Sequence, residues 1–81
     1  MEIRALFFAA YRDAVGTSAL DVELPERATV ADLVRDLRER GGGFDCLPDE
    51  PAVAVNRAYA RGSRTLSPGD EVAFIPPVAG G

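Results

Sequence analysis

Thr29-Val30-Ala31-Asp32-Leu33-Val34-Arg35-Asp36-Leu37-Arg38-Glu39-Arg40 is the stretch that decides the fold. Thr29 suits a helix N-cap, because its hydroxyl can accept from an otherwise unpaired backbone N–H, and Asp32 stands three residues on, as in a capping box. Val30, Leu33, Val34 and Leu37 fall at i, i+3, i+4 and i+7 and make one apolar stripe. Burying each contributes about 1.5–3 kcal/mol before the entropy of ordering is subtracted. Arg35, Asp36, Arg38, Glu39 and Arg40 occupy the outward face. Gly41-Gly42-Gly43 ends the helix, since glycine readily takes left-handed angles there. This triple glycine is no phosphate loop: it follows a helix, and no Lys-Ser/Thr comes after it.

Two strand patterns precede the helix. Glu2 to Ala9 sets Ile3, Ala5 and Phe7 on one face and Arg4, Leu6 and Phe8 on the other, apolar enough on both for a central strand. Ala10 to Val15 reads as a short turn or a single helical turn closed by Gly16. Ala19 to Leu24 alternates Leu20, Val22 and Leu24 against Asp21 and Glu23, and Pro25 stops it. Beyond the helix, Phe44 to Pro51 reads as a loop. Val53 and Val55 belong to a short strand, Asn56-Arg57 to a tight turn, Ala58 to Arg61 to another short strand. Pro68-Gly69-Asp70 is a second turn, and Glu71 to Ile75 the last strand. Strand, strand, helix, strand, short strand, strand in so short a chain leaves few topologies. The expectation is an α+β fold of the β-grasp, ubiquitin-like kind, a small mixed sheet with one helix packed on one face and the first and last strands in the middle.

Composition limits the chemistry. Eighty-one residues make one domain with a modest core. A net charge of −4 argues against nucleic acid or an anionic membrane as partner. The longest apolar run is too short to span a bilayer, and the start lacks a signal-peptide layout. One cysteine excludes an internal disulfide and fits a reducing cytosol, so the expected location is cytoplasmic. Cys46 reads as an inert, partly buried thiol. The chain has no histidine and no lysine. The usual general bases, nucleophile pairs and metal clusters cannot be assembled, so an enzyme acting alone is not expected, nor a bound metal or cofactor.

The end of the chain, Pro76-Pro77-Val78-Ala79-Gly80-Gly81, has the chemistry of a presented carboxyl group. From Val72 to Gly81 no side chain is charged. Glycine lets a neighbouring surface approach the main chain closely, and the two prolines favour an extended course. Fully extended, Pro76 to Gly81 reaches roughly 20 Å, enough for a buried site in a partner. The expected organisation is a β-grasp domain over residues 1–75 and a flexible Gly-Gly tail over 76–81. Beside it, if Ile3, Phe7, Val72 and Phe74 face the helix, Phe8 and Ile75 face away. Tyr59 joins them in an exposed apolar docking patch, with Arg12, and to a lesser degree Arg61, adding charge contacts.

Leu6-Phe7-Phe8-Ala9 followed by Arg12 and Val15-Gly16-Thr17, then Ala54-Val55-Asn56, then Leu66 and Gly69-Asp70-Glu71-Val72-Ala73-Phe74-Ile75-Pro76-Pro77-Val78-Ala79-Gly80-Gly81 carry a family resemblance. The chain resembles the small subunits of molybdopterin synthase, of the MoaD/ThiS sulfur-carrier group, over its whole length. Ile75 departs from the pattern, since many relatives have a second Phe there. The resemblance implies a sulfur carrier that is the small, non-catalytic subunit of a sulfurtransferase. An ATP-dependent activating enzyme would adenylate Gly81, a sulfur donor enzyme would convert it to a thiocarboxylate, and the large catalytic subunit would bind the tail. The sulfur would then pass to cyclic pyranopterin monophosphate to build the molybdopterin dithiolene. ATP belongs to the activating partner, and this chain binds no cofactor. The patch of Phe8, Tyr59 and Ile75 would serve both partners, and Gly80, Ala79, Val78, Pro77 and Pro76 would thread behind Gly81. Two other uses stay open: a carrier for thiamine or transfer-RNA thiolation, and a ubiquitin-like modifier or binding module.

Overall fold

A computed structural model describes residues 1–77. The elements are β1 (Glu2–Phe7), α1 (Ala9–Val15), β2 (Ala19–Glu23), α2 (Val30–Glu39), a 3₁₀ turn (Gly42–Cys46), β3 (Ala52–Val55), β4 (Ala58–Ala60) and β5 (Glu71–Ile75). The five strands form one mixed sheet in the order β2-β1-β5-β3-β4. β1 and β5 run parallel at its centre, with Phe7 beside Phe74; the other neighbours are antiparallel. This is the expected β-grasp.

The core lies between α2 and one face of the sheet. Ile3, Ala5, Phe7, Val22, Val53, Val55, Val72 and Phe74 come from the strands, and Val30, Leu33, Val34 and Leu37 from the helix. Phe7 stacks on Phe74 at 5.3 Å between ring centroids and meets Phe44 edge-on at 5.9 Å. α2 begins as its sequence dictates: the Thr29 hydroxyl accepts from the Asp32 N–H, and the Asp32 carboxylate accepts from the Thr29 N–H. Its next two N–H groups are met from outside, Val30 N–H by the Arg64 carbonyl and Ala31 N–H by the Gly62 carbonyl.

The structure departs from expectation in three places. β1 ends at Phe7, two residues early, because Ala9 turns to φ 47 and opens a helix. That helix runs over Ala9–Val15 and buries Tyr11, where a single turn was expected. The expected loop from Phe44 is preceded and entered by the 3₁₀ turn of Gly42–Cys46. Gly43 explains its seat against α1: a Cβ there would stand 1.7 Å from the Ala14 carbonyl oxygen. The two segments close on each other through bare backbone.

Candidate functional site

The residues expected to form a patch are spread over the face of the sheet turned away from α2. Since side chains alternate along a strand, burial of Phe7 and Phe74 sends Phe8 and Ile75 to the opposite face. Phe8 is half exposed and sits as the extended N-cap of α1, next in line to Ile75 if the β1–β5 register is continued by one residue. Tyr59, on the edge strand β4, is 80% exposed. Ile75 is half-buried at the end of β5, with Pro76 and Pro77 following it. Arg12 lies one helical turn beyond Phe8, exposed, with its Nε 3.8 Å from Asp13. Val78, Ala79, Gly80 and Gly81 lie outside the described residues.

Phe8 and Ile75 each follow the last β1–β5 pair, Phe7 beside Phe74, whereas Tyr59 lies on β4, beyond β3. β3 stands between β4 and β5, and Tyr59 is level with Ala54 and Ala73, not with Ile75. What joins them is a floor that strand alternation alone did not single out. Leu6, Ala73, Ala54 and Tyr59 form one row across four strands, and Ala52 stands opposite Ile75 in the next. Ala54 is buried yet outside the core cluster, so it is covered from the outer face by its larger neighbours. Small residues between the larger Leu6, Tyr59 and Ile75 outline a shallow apolar trough on this face. The run of alanines at alternate positions was the available signal, and only the strand order converts it into a surface.

The trough is rigidly framed at the start of β5. Asn56 and Arg57 form the β3–β4 turn with φ 49 and 73. The Asn56 amide donates to Asp70 at 2.9 Å and accepts from the Glu71 N–H at 3.0 Å. The other Asp70 oxygen accepts from the Ser67 N–H at 2.8 Å. The hairpin bearing Tyr59 is therefore tied to the strand that leads to Pro76.

Cys46 is an exposed residue, not the partly buried one expected. Residual desolvation and the neighbouring Asp45 carboxylate push its thiol upward, which keeps it protonated and a poor nucleophile. Burial likewise raises Tyr11, with Cys46 adding to the effect. No described helix is long and apolar enough to cross a membrane.

Comparison with known proteins agrees with this fold. The ThiS family model matches residues 5–81. The chain is 34% identical to the molybdopterin synthase sulfur carrier subunit of Chlamydomonas reinhardtii, with both chains covered completely. It is 37% identical to that of Mycobacterium tuberculosis, covering 100% of this chain and 99% of the relative. Among solved structures it superposes on SAMP1 from Haloferax volcanii with a TM-score of 0.87 at 26% identity, both chains covered completely. It also superposes on a chain in the complex of subunits 1 and 2 of the molybdopterin-converting factor of Helicobacter pylori, with a TM-score of 0.73, 22% identity and complete coverage of both chains. With a family model spanning nearly all of its length over a β-grasp sheet, the chain belongs to the ThiS family.

Proposed function

We propose that this chain is the sulfur-carrying subunit of a molybdopterin synthase and acts through the carboxyl group of Gly81. The observation that carries the reading is the apolar trough of Phe8, Leu6, Ala73 and Ile75, which runs straight into Pro76-Pro77. On this reading, Ala73 and Ile75 of the docking face share β5 with the root of the tail. The full-length likeness to curated sulfur carrier subunits supports the choice of acceptor.

A carboxylate is a poor electrophile. In the first step the Gly81 oxygen attacks the α-phosphate of ATP on an activating enzyme and pyrophosphate leaves. The outer sulfur of a donor enzyme's persulfide then attacks the Gly81 carbonyl carbon and expels AMP, and a second thiol reduces the acyl disulfide to leave a thiocarboxylate and a disulfide. On the large subunit, that sulfur bonds to a side-chain carbon of cyclic pyranopterin monophosphate in place of an oxygen substituent, water cleaves the acyl–sulfur bond and returns the Gly81 carboxylate, and two such transfers make the dithiolene. The partners supply the acid–base groups, in keeping with a chain that has no histidine or lysine. On this reading the chain is non-catalytic by itself, works in the cytoplasm and holds no cofactor. Phe8, Ile75, Tyr59 and Arg12 contact the partner, and residues 76–81 thread into it. Seating an extended tail requires no other change in the fold.

The test is mass spectrometry of the purified chain after incubation with its activating enzyme, ATP and a sulfur donor. A gain equal to replacing one oxygen by one sulfur, followed by loss of that gain when the large subunit and pyranopterin are added, supports the proposal. The likeness to a small archaeal modifier favours one second reading, attachment of Gly81 to lysines of other proteins. Stable adducts on lysine in the same experiment, without the sulfur gain, would establish that reading instead.

A further inference from the structure

The positive charge of this acidic protein is unevenly spread. Of its nine arginines, Arg4, Arg12, Arg35, Arg38 and Arg40 pair with carboxylates. Arg27, Arg57, Arg61 and Arg64 have no such partner among the described residues and are exposed; Arg27 lies by itself between β2 and α2, next to Glu26, and the other three stand together. They fall in Pro51 to Gly69, a stretch without one Asp or Glu in a chain that has 13.

The fold lines these three up along one border. β4 is the last strand of the sheet, so among the described residues one side of Ala58–Ala60 has no strand beside it and offers the open backbone of an edge strand. Arg57 precedes that edge and Arg61 follows it. Arg64 is set by the turn that its N–H makes to the Arg61 carbonyl. The Gly62 and Arg64 carbonyls are fixed on the first turn of α2, so the arginines stand on a held frame. The opposite edge is different: β2 carries Asp21 and Glu23. A shallow cavity beside Arg61 is bordered by Asp49 and Glu50; Asp49 is held by Arg38, and Glu50 marks where the basic strip stops.

We propose that the β4 border, from Arg57 through Arg64, is a docking strip for an acidic, extended segment of a partner protein. The segment adds a strand to the sheet edge, main chain to main chain, and its carboxylates meet the guanidinium groups. Tyr59 gives the strip an apolar contact and joins it to the trough. This does not depend on the sulfur-carrier reading, because recognition of the strip needs neither the tail nor its chemistry.

The test titrates the isotope-labelled full chain with a short peptide alternating Glu with Thr and Val, against its Lys counterpart and an oligothymidylate. The Glu peptide should shift the backbone amides of Ala58 to Arg64 and leave Ala19 to Glu23 unmoved, and the Lys peptide should leave Ala58 to Arg64 unmoved. Arg57→Gly removes one charge at a left-handed position that glycine favours, so the turn is kept. Combined with Arg61→Gln and Arg64→Gln, it should weaken the Glu peptide about tenfold, as should raised salt. The proposal is overturned by silence at β4, by an equal response to the Lys peptide or by unchanged affinity in the Arg57→Gly variant and the triple variant alike. Preferential capture of oligothymidylate, or shifts at β2 and β4 that depend only on the chain's own concentration, would overturn it too.

Discussion

Replacing Tyr59 by alanine separates docking from folding more cleanly than any other single change in the trough. Tyr59 is 80% exposed on a strand with one open side, so the free protein gains little from its ring. A tyrosine side chain offers about 200 Å², of which about 160 Å² is free for a partner to cover. At ~25 cal/mol per Å² that is an upper limit near 4 kcal/mol. Ordering and imperfect contacts reduce it, and about 2 kcal/mol is the usual cost of truncating a well-seated aromatic anchor. The dissociation constant for the large synthase subunit should therefore rise about 30-fold, read by titration calorimetry. The melting temperature of the free chain should move by no more than about 4 °C, the effect of roughly 0.5 kcal/mol in a domain of this size. An unchanged dissociation constant would refute the placing of Tyr59 in the docking face. A fall of more than about 10 °C would show that the ring holds the hairpin together.

Three further outcomes are expected. Deleting Gly81 shortens the tail by about 3.3 Å; since a misplacement of ~1 Å can cost about 10²-fold in rate, product formation with supplied partners should nearly vanish while docking persists. Gly43→Ala puts a Cβ 1.7 Å from the Ala14 carbonyl oxygen, forcing backbone apart; a loss of about 1–3 kcal/mol is expected in denaturant unfolding, with partner affinity unchanged. The Asp32 carboxyl is held below its ordinary value, first by the hydrogen bond from the Thr29 N–H. A lowered folded value gives stability that is present above the ordinary carboxylate range and is lost as pH falls through the folded value. Asp32→Asn should therefore flatten the acid side of a melting-temperature profile, and Thr29→Ala should cost about 1 kcal/mol at neutral pH.

α2 was legible almost to the residue because Thr29, Asp32 and the Val30–Leu37 stripe report the same helix by cap and by period. α1 was understated. Ala9 and Ala10 carry no apolar period, and Phe8 hides the start of the helix by continuing the β1 alternation. The 3₁₀ turn was hidden by Gly42 and Gly43, which satisfy many conformations equally. At the site, alternation named Phe8 and Ile75 correctly as outward-facing. It could not place Tyr59 two strands away from Ile75, because sequence order says nothing about which strand lies between. The alanine floor of Ala52, Ala54 and Ala73 was missed for the same reason: a small side chain gains meaning only from what flanks it in space.

The parallel pairing of β1 with β5 bears on how this protein comes into being. Arg4 is laid beside Glu71, so the sheet's central seam closes between its first and last strands in sequence. Closing so long a loop is entropically uphill until the contacts it brings are made, and such pairings slow folding. Val72 and Phe74 arrive on that last strand and complete the core. A nascent chain still lacking β5 has no seam for β1 to join, and half of the trough is missing with it. Folding of the sheet must therefore await synthesis of β5, and a product terminated before it lacks Ala73 and Ile75 of the trough. The same strand completes the fold and leads out to Pro76, so a fragment that stops before it lacks both the central seam and the segment that carries the chain on to Pro76 and Pro77.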